Sequence, residues 1–332
     1  MIVNKKSLKN FVALIMLGFL CACTTESVHE PMDKVTVQLV WKHQAQFAGF
    51  YAADKNGFYE NENLEVSILP RRSPSFDVVN AVVKGDADFG VNYAVGLIEA
   101  RNRKQPVTAI ASIYKRYPLA FMSLKEKGIV HPLDFVGRRF PVLSVSGASV
   151  LFDALLKKNR VTREDIVFIQ TGYDLNRLFT GEVDVWTGYT INEVLIAKQK
   201  GYEINLVKPG DFGVNMMGDT LFTSDILINT NPDLVLRFVR ATVKGWQWAV
   251  EHPEDAAKMC LEFDNELDLN HQTAMMKTSI PYIKSQGPVG MMDTKVWEEM
   301  YKTLLDQEII ESRLNLNTVY INSFVEQFYR EK

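Results

Sequence analysis

The chain has 332 residues, 47% of them hydrophobic and 23% charged, with a formal net charge of −3. That balance is ordinary for a folded protein with about two domains' worth of core, and it excludes a disordered chain or a repeat array. The mild acidity argues against nucleic acid as a partner.

The N-terminus differs from the rest. Lys5, Lys6 and Lys9 precede an unbroken apolar run from Phe11 to Leu20 (FVALIMLGFL). That run is short for a membrane span, which needs about 20 apolar residues, and it suits the hydrophobic part of a signal peptide. It leads into Leu20-Cys21-Ala22-Cys23, which resembles the lipobox of bacterial lipoproteins, where the last cysteine becomes N-terminal and lipidated. An ordinary signal peptide or an uncleaved anchor is the alternative. On the lipoprotein reading, residues 1–22 are the signal, Cys23 carries the lipid, and residues 23–33 are a polar tether. Acyl chains contribute about 0.8 kcal/mol per buried CH₂ and hold such a domain at a membrane surface. Cleavage removes three lysines and no acid, so the net charge moves from −3 to −6. Cys260 is then left without a partner for a structural disulfide and reads as a small buried residue.

From Lys34 onward, strand patterns alternate with helix patterns. Val35 to Trp41 (VTVQLVW) alternates apolar and polar residues as a strand does. A helix follows through Phe50, Tyr51 and Asp54, with Gly57 placed to end it. Leu64 to Leu69 is a second strand. Ser73, Pro74 and Ser75 suggest a helix start before Phe76 to Lys84. Strands alternating with helices predict a mainly parallel sheet covered by helices.

One pattern occurs twice, 96 residues apart: GDADFGVNYA from Gly85 and GEVDVWTGYT from Gly181. Each glycine follows a helix pattern, and each Asp enters an apolar strand. Two similar α/β lobes account for the echo. Residues 34–127 and 208–332 form the first lobe with C-terminal helices, and 128–207 form the second. A chain crossing twice between lobes makes a hinge and a cleft, with ligands at the carboxyl ends of the strands.

The turn WKHQAQ (Trp41 to Gln46) lies at that level on the first strand-to-helix loop. Trp41 presents a flat apolar face, and Gln44 and Gln46 offer donors and acceptors, which suits a planar polar heterocycle. Trp41 plugging the core is the competing reading. Asn92-Tyr93, Tyr114 and Tyr117 end further strands of the first lobe. In the second, Ser146-Gly147 opens a helix with free N–H groups, and Trp186, Tyr189, Asn192 and Glu193 follow the repeated glycine-acid pattern.

WKHQAQFAGFYAADKNGFYENENLEV resembles the opening signature of periplasmic binding proteins of the thiamine-pyrimidine-precursor type, the receptors of ABC uptake systems. GDADFGVNYA, VTAIASIY, TGEVDVWTGYTINE and the run from GDFGVNMMGDTLFTSD to VRATVKGWQWAVEHPEDA continue the similarity over most of the chain. The resemblance implies an α/β, two-lobed type II periplasmic-binding fold with a hinge and a central cleft. It implies aromatic stacking on a ligand ring, and polar residues, among them a second-lobe carboxylate, reading the ring's edge. By motif position those residues are Trp41, Asn92, Tyr93, Trp186, Tyr189 and Glu193, to which the reading of the loops adds Gln44, Tyr117 and Ser146.

A monomeric receptor without cofactor or metal is expected. It would capture a pyrimidine thiamine precursor or a riboflavin-like ring at the outer face of a bacterial membrane, and hand it to a permease with a separate ATPase. The family's pyrimidine-synthase branch carries a cofactor-bearing Lys and a sacrificial His where this chain has Asn92 and Gly96. It also carries a cysteine cluster where this chain has none, so that activity is not expected. Two rivals stand: a sulfonate- or nitrate-type anion receptor using Arg71 and Arg72, and a ligand sensor reporting to a separate membrane protein.

Overall fold

In a computed structural model, the structure describes residues 31–73, 75–142, 146–285, 287–311 and 314–332. The expected signal segment, Cys23 and most of the tether lie outside these residues. Among the described residues, no helix is long and apolar enough to cross a membrane.

The strands of the first half are β1 Asp33–Gln38, β2 Leu64–Leu69, β3 Phe89–Tyr93 and β4 Val107–Ser112. Its helices are α1 Ala48–Lys55, α2 Val78–Lys84 and α3 Ala94–Asn102. Then come β5 Leu119–Leu124, β6 Arg139–Pro141, α4 Ser146–Lys158 and β7 Val167–Ile169. They are followed by α5 Asn176–Phe179, β8 Trp186–Tyr189, α6 Glu193–Gln199 and β9 Ile204–Val207. After β10 Asp219–Ser224, the chain is helical: α7 Asp225–Thr230, α8 Pro232–Glu251 and α9 Pro253–Cys260. It ends with α10 Leu269–Ile283, α11 Thr294–Asp306 and α12 Ser323–Arg330.

Five strands form one sheet in the order β2-β1-β3-β10-β4, and the middle of the chain forms a three-stranded sheet β8-β5-β9 and a parallel pair β6-β7. β1 pairs in parallel with β2 and β3, as alternation predicts, but β10 is antiparallel to both β3 and β4, and β5 is antiparallel to β8 and β9. These two strands carry the chain between the halves, and a strand arriving without a crossover helix on its own face is free to run backwards. β5 already belongs to the second sheet, so the first crossing precedes the 127/128 boundary expected from composition.

Local starts and stops moved for identifiable reasons. β1 ends at Gln38, three residues before Trp41, because the Gln38 amide turns back and donates to the carbonyls of Leu69 and Pro70 at the end of β2. α2 starts at Val78, capped by Asp77, whose carboxylate accepts from Asn80 N–H, while the Ser73 and Ser75 hydroxyls meet each other and the Ser73 carbonyl accepts from Phe76 N–H. Cys260 is buried, and its thiol donates to the Ala256 carbonyl.

The sequence echo has a physical basis. Gly85 and Gly181 both adopt left-handed φ, +78° and +72°, after their helices. Asp88 N–H donates to Thr36 O, and its carboxylate accepts from Thr36 N–H at 2.8 Å. Asp184 makes the same reciprocal pair with Arg139, its carboxylate accepting from Arg139 N–H at 3.0 Å. Asp88 thus pins its strand to β1, and Asp184 pins its strand to β6.

Asp184 does more. It accepts from the Arg139 guanidinium at 2.9 and 2.8 Å and meets Lys127 at 3.2 Å, and the guanidinium holds its carboxyl well below the usual range. Asp184→Ala is expected to cost about 2–4 kcal/mol, the loss of a mostly buried charge partner discounted for Arg139's partial exposure. Asp88→Ala, which breaks no ion pair, is expected to cost less. Urea unfolding at pH 7 orders the two.

Candidate functional site

A cavity of about 370 Å³ opens between the two halves, within the size range of small-molecule pockets. The turn after β1 contributes Trp41, Lys42, Gln44 and Gln46 to its wall. Tyr93 comes from the end of β3, and Tyr117 from the crossing into β5. The second half supplies Trp186, Thr187, Gly188 and Tyr189 from β8, and Asn192 and Glu193 from the start of α6.

The aromatic walls are arranged about the echo. Tyr93 and Tyr189 stand at matching positions, 96 residues apart, at the ends of corresponding strands. Tyr117 sits between them, its ring 5.2 Å from Tyr93 and 5.6 Å from Tyr189, the latter edge-on. Among the described residues, the buried Tyr117, Tyr189 and Thr187 hydroxyls have no partner in hydrogen-bond geometry, although the tyrosine hydroxyls lie close enough to influence one another. Burial raises the pKa of all three tyrosines. The next-largest cause is Asp219 for Tyr93, Tyr93 for Tyr117, and Tyr117 for Tyr189. They stay protonated donors at neutral pH. At the mouth, the half-buried Trp41 meets Tyr173 of the second half edge-on at 5.9 Å, with the Arg71 guanidinium 5.9 Å from its ring.

The polar wall is equally constrained. Glu193 accepts from Tyr189 N–H at 2.7 Å and from the Asn192 amide at 2.9 Å. Burial raises its pKa, opposed first by the Tyr189 N–H. Asn192 in turn bonds His271 of α10 at 2.9 Å. On the opposite wall, Gln44 Nε2 donates to Gln46 Oε1 at 2.6 Å, and Gln46 Nε2 donates to Asp219 Oδ2 at 2.6 Å. Asp219 is fully buried, its Oδ1 has no partner, and burial pushes its pKa up to about 7.

Of the nine residues expected from the sequence, seven line this cavity: Trp41, Gln44, Tyr93, Tyr117, Trp186, Tyr189 and Glu193. Asn92 stands outside the lining. Its side-chain oxygen accepts from Tyr93 N–H at 2.8 Å, and its amide packs over Gly96, so it sets the end of β3 without facing the cavity. Ser146 opens α4, and its side chain lies outside what the structure describes. His43 turns into the core, where Nδ1 bonds the Tyr51 hydroxyl at 2.9 Å and the ring lies against Phe263. Arg72 is drawn to Phe76, its guanidinium 5.7 Å from that ring.

The sequence reading missed Asp219 and the support from α10. Gln272 Oε1 accepts from Ala45 N–H at 2.7 Å, and the Tyr114 hydroxyl, which donates to Gln46 O, also meets Ser279 at 3.0 Å. Only Asp219 had a local signal: an acid heading the otherwise uncharged, buried strand DTLFTS.

The profile of the family described as NMT1/THI5 like matches residues 44–256. The chain is 25% identical to a formylaminopyrimidine-binding protein of Halalkalibacterium halodurans, over 90% of this chain and 93% of that one. It is 24% identical to the riboflavin-binding protein RibY of Chloroflexus aurantiacus, over 92% and 89%. Among solved structures, a putative periplasmic sulfonate-binding protein, SsuA of Methylobacillus flagellatus KT, superposes with a TM-score of 0.71 at 14% identity, covering 91% of this chain and 95% of that one. At that identity the likeness shows the fold alone, which is the periplasmic-binding fold.

Proposed function

This chain belongs to the NMT1/THI5-like family, and from that premise we propose that it is a solute-binding receptor whose halves close over a small planar heterocycle. One observation carries the reading. The cavity is lined by aromatic side chains and by Glu193, and the buried Tyr117, Tyr189 and Thr187 hydroxyls of the same wall have no partner in hydrogen-bond geometry among the described residues. An unsatisfied buried polar group costs about 1–3 kcal/mol, a cost that a polar-edged ring in the cavity offsets. Tyr93 and Tyr189 belong to different halves, so a ring that touches both favours the closed state by its differential affinity.

A pyrimidine thiamine precursor is the leading ligand, followed by a riboflavin-like ring. The names of the two relatives support this order, as does a carboxylate placed to accept from an amino or hydroxyl group. Glu193 in the wall disfavours an anion, and Arg71 and Arg72 face aromatic rings. The receptor is anchored through Cys23 at the outer face of a bacterial membrane. It works as a monomer and delivers its ligand to a permease driven by an ATPase on separate chains. It carries out no chemistry on the ligand, since Asn92 and Gly96 stand where the synthase branch has its Lys and His.

A thermal-shift screen of residues 24–332 against pyrimidine precursors, thiamine, flavins, sulfonates and nitrate tests this. A ligand at 100 times its Kd adds about 2.7 kcal/mol of stability. The expected result is a clear rise with a planar heterocycle that Trp186→Ala and Glu193→Ala each abolish. A rise with anions alone overturns the reading.

A further inference from the structure

We infer that Asp219, which does not reach the cavity, sets the polarity of the cavity wall through Gln46 and Gln44, so that the site selects a ring edge that donates a hydrogen bond. This rests on the heterocycle reading above and adds a rule of selection to it.

An amide side chain has an accepting end and a donating end, and nothing intrinsic decides which faces a given neighbour. An ionised carboxylate only accepts, so above about pH 7, where Asp219 is ionised, it compels Gln46 to turn its NH₂ inward, the direction of the 2.6 Å bond. Gln46 is left offering Oε1 on its other side, and Gln44 must donate Nε2 to it, again at 2.6 Å. Gln44 is a lining residue, and with one of its two Nε2 hydrogens committed to Gln46, its unshared acceptor is Oε1. Two successive amides thus transmit the accepting character of Asp219 to the cavity wall.

The surroundings leave little room for another arrangement. Asp219, Gln46 and Gln44 are 0%, 2% and 9% exposed, so water does not compete for these groups as it does at a surface. The backbone on which the two glutamines sit is held separately, by Gln272 at Ala45 N–H and by the Tyr114 hydroxyl at the Gln46 carbonyl. The turn is therefore fixed in place, and the direction of its two amides is set by Asp219. Glu193 on the opposite wall is also an acceptor, and both polar walls then ask for donors on the ligand.

The test is a ratio of affinities. Calorimetric Kd values are measured at pH 8, where Asp219 is ionised, for 5-hydroxymethyl-2-methylpyrimidine in its 4-amino and 4-oxo forms, which exchange donor and acceptor at one ring edge. Wild type is expected to favour the amino form at least tenfold. Asp219→Asn, which keeps the shape and removes the compulsion, is expected to reduce that preference at least fivefold. Gln46→Met, which interrupts the relay outside the Asp219 site, is expected to do the same and serves if Asp219→Asn does not fold. A merely structural role for Asp219 would weaken both forms alike and leave the ratio standing, which overturns the relay. Equal binding of both forms by wild type also overturns it, while the heterocycle reading survives. If wild type binds neither form, the relay and the pyrimidine assignment both fall, and the heterocycle reading then stands or falls with the flavins of the thermal-shift screen.

Discussion

Gly245→Val is expected to prevent the chain from accumulating in its folded form, and Gly245→Ala to lower stability by about 2 kcal/mol. α8 crosses α1 so closely that a Cβ at Gly245 would lie 2.2 Å from the Gly49 carbonyl oxygen and 2.6 Å from the Ala53 side chain. The closeness is mutual, since a Cβ at Gly49 would lie 2.1 Å from the Trp246 ring. Two effects compete. Replacing a helical glycine with alanine gains about 1 kcal/mol of intrinsic propensity. Overpacking costs about 1–3 kcal/mol or more, and here the obstacle is a backbone carbonyl that cannot change rotamer. The clash wins, and the helices must part to relieve it. Urea unfolding of Gly245→Ala checks the sign, and a neutral or stabilised variant would show that α1 slides without loss. The consequence reaches the site, because α1 begins directly after the turn that carries Gln44 and Gln46.

The parts legible in the sequence were those with a local cause. The glycine-acid echo was readable because a glycine ending a helix and an acid entering the next strand are local patterns, although the residues that the two Asp side chains pin lie 52 and 45 positions away. Trp41, Gln44, Tyr93 and Tyr189 were readable because strand-to-helix loops gather at one edge of an α/β sheet. What escaped was set by distant partners. Nothing within β10 or β5 announces an antiparallel direction, which depends on which strand each one joins. Asn92 sits beside Tyr93 in every local pattern, yet strand alternation turns its side chain elsewhere. His43 lies in the middle of the site turn and goes to the core because Tyr51 and Phe263 offer it a pocket. The α10 contributions come from residues such as Gln272, 227 positions from the Ala45 they hold, and periodicity has no access to that distance.

Asp219→Asn is expected to make the protein more stable at pH 8 and to lose that advantage by pH 5. The sign follows from the direction of the shift. An aspartate has a pKa of about 3.9 in an unfolded chain, and burial pushes Asp219 up to about 7 in the fold. The native state therefore holds this proton more tightly than the unfolded state does. Stability from this group is greatest below about pH 4, falls as pH rises towards 7, and levels off above that. A difference of about three pH units at about 1.4 kcal/mol each puts the penalty at about 4 kcal/mol at pH 8, and full burial removes the need to discount it for solvent screening. Asparagine escapes ionisation but leaves amide N–H groups to satisfy, at about 1–3 kcal/mol, so the net gain at pH 8 is about 1–3 kcal/mol. Urea midpoints at pH 5, 6.5 and 8 read the crossover, and a gap between variant and wild type that does not change with pH refutes the assignment. A carboxylate that costs stability at neutral pH, placed behind two lining glutamines and bonded to one of them, makes sense as a functional group whose cost the rest of the fold carries. The variant that gains stability is then also the one expected to lose its preference between ring edges.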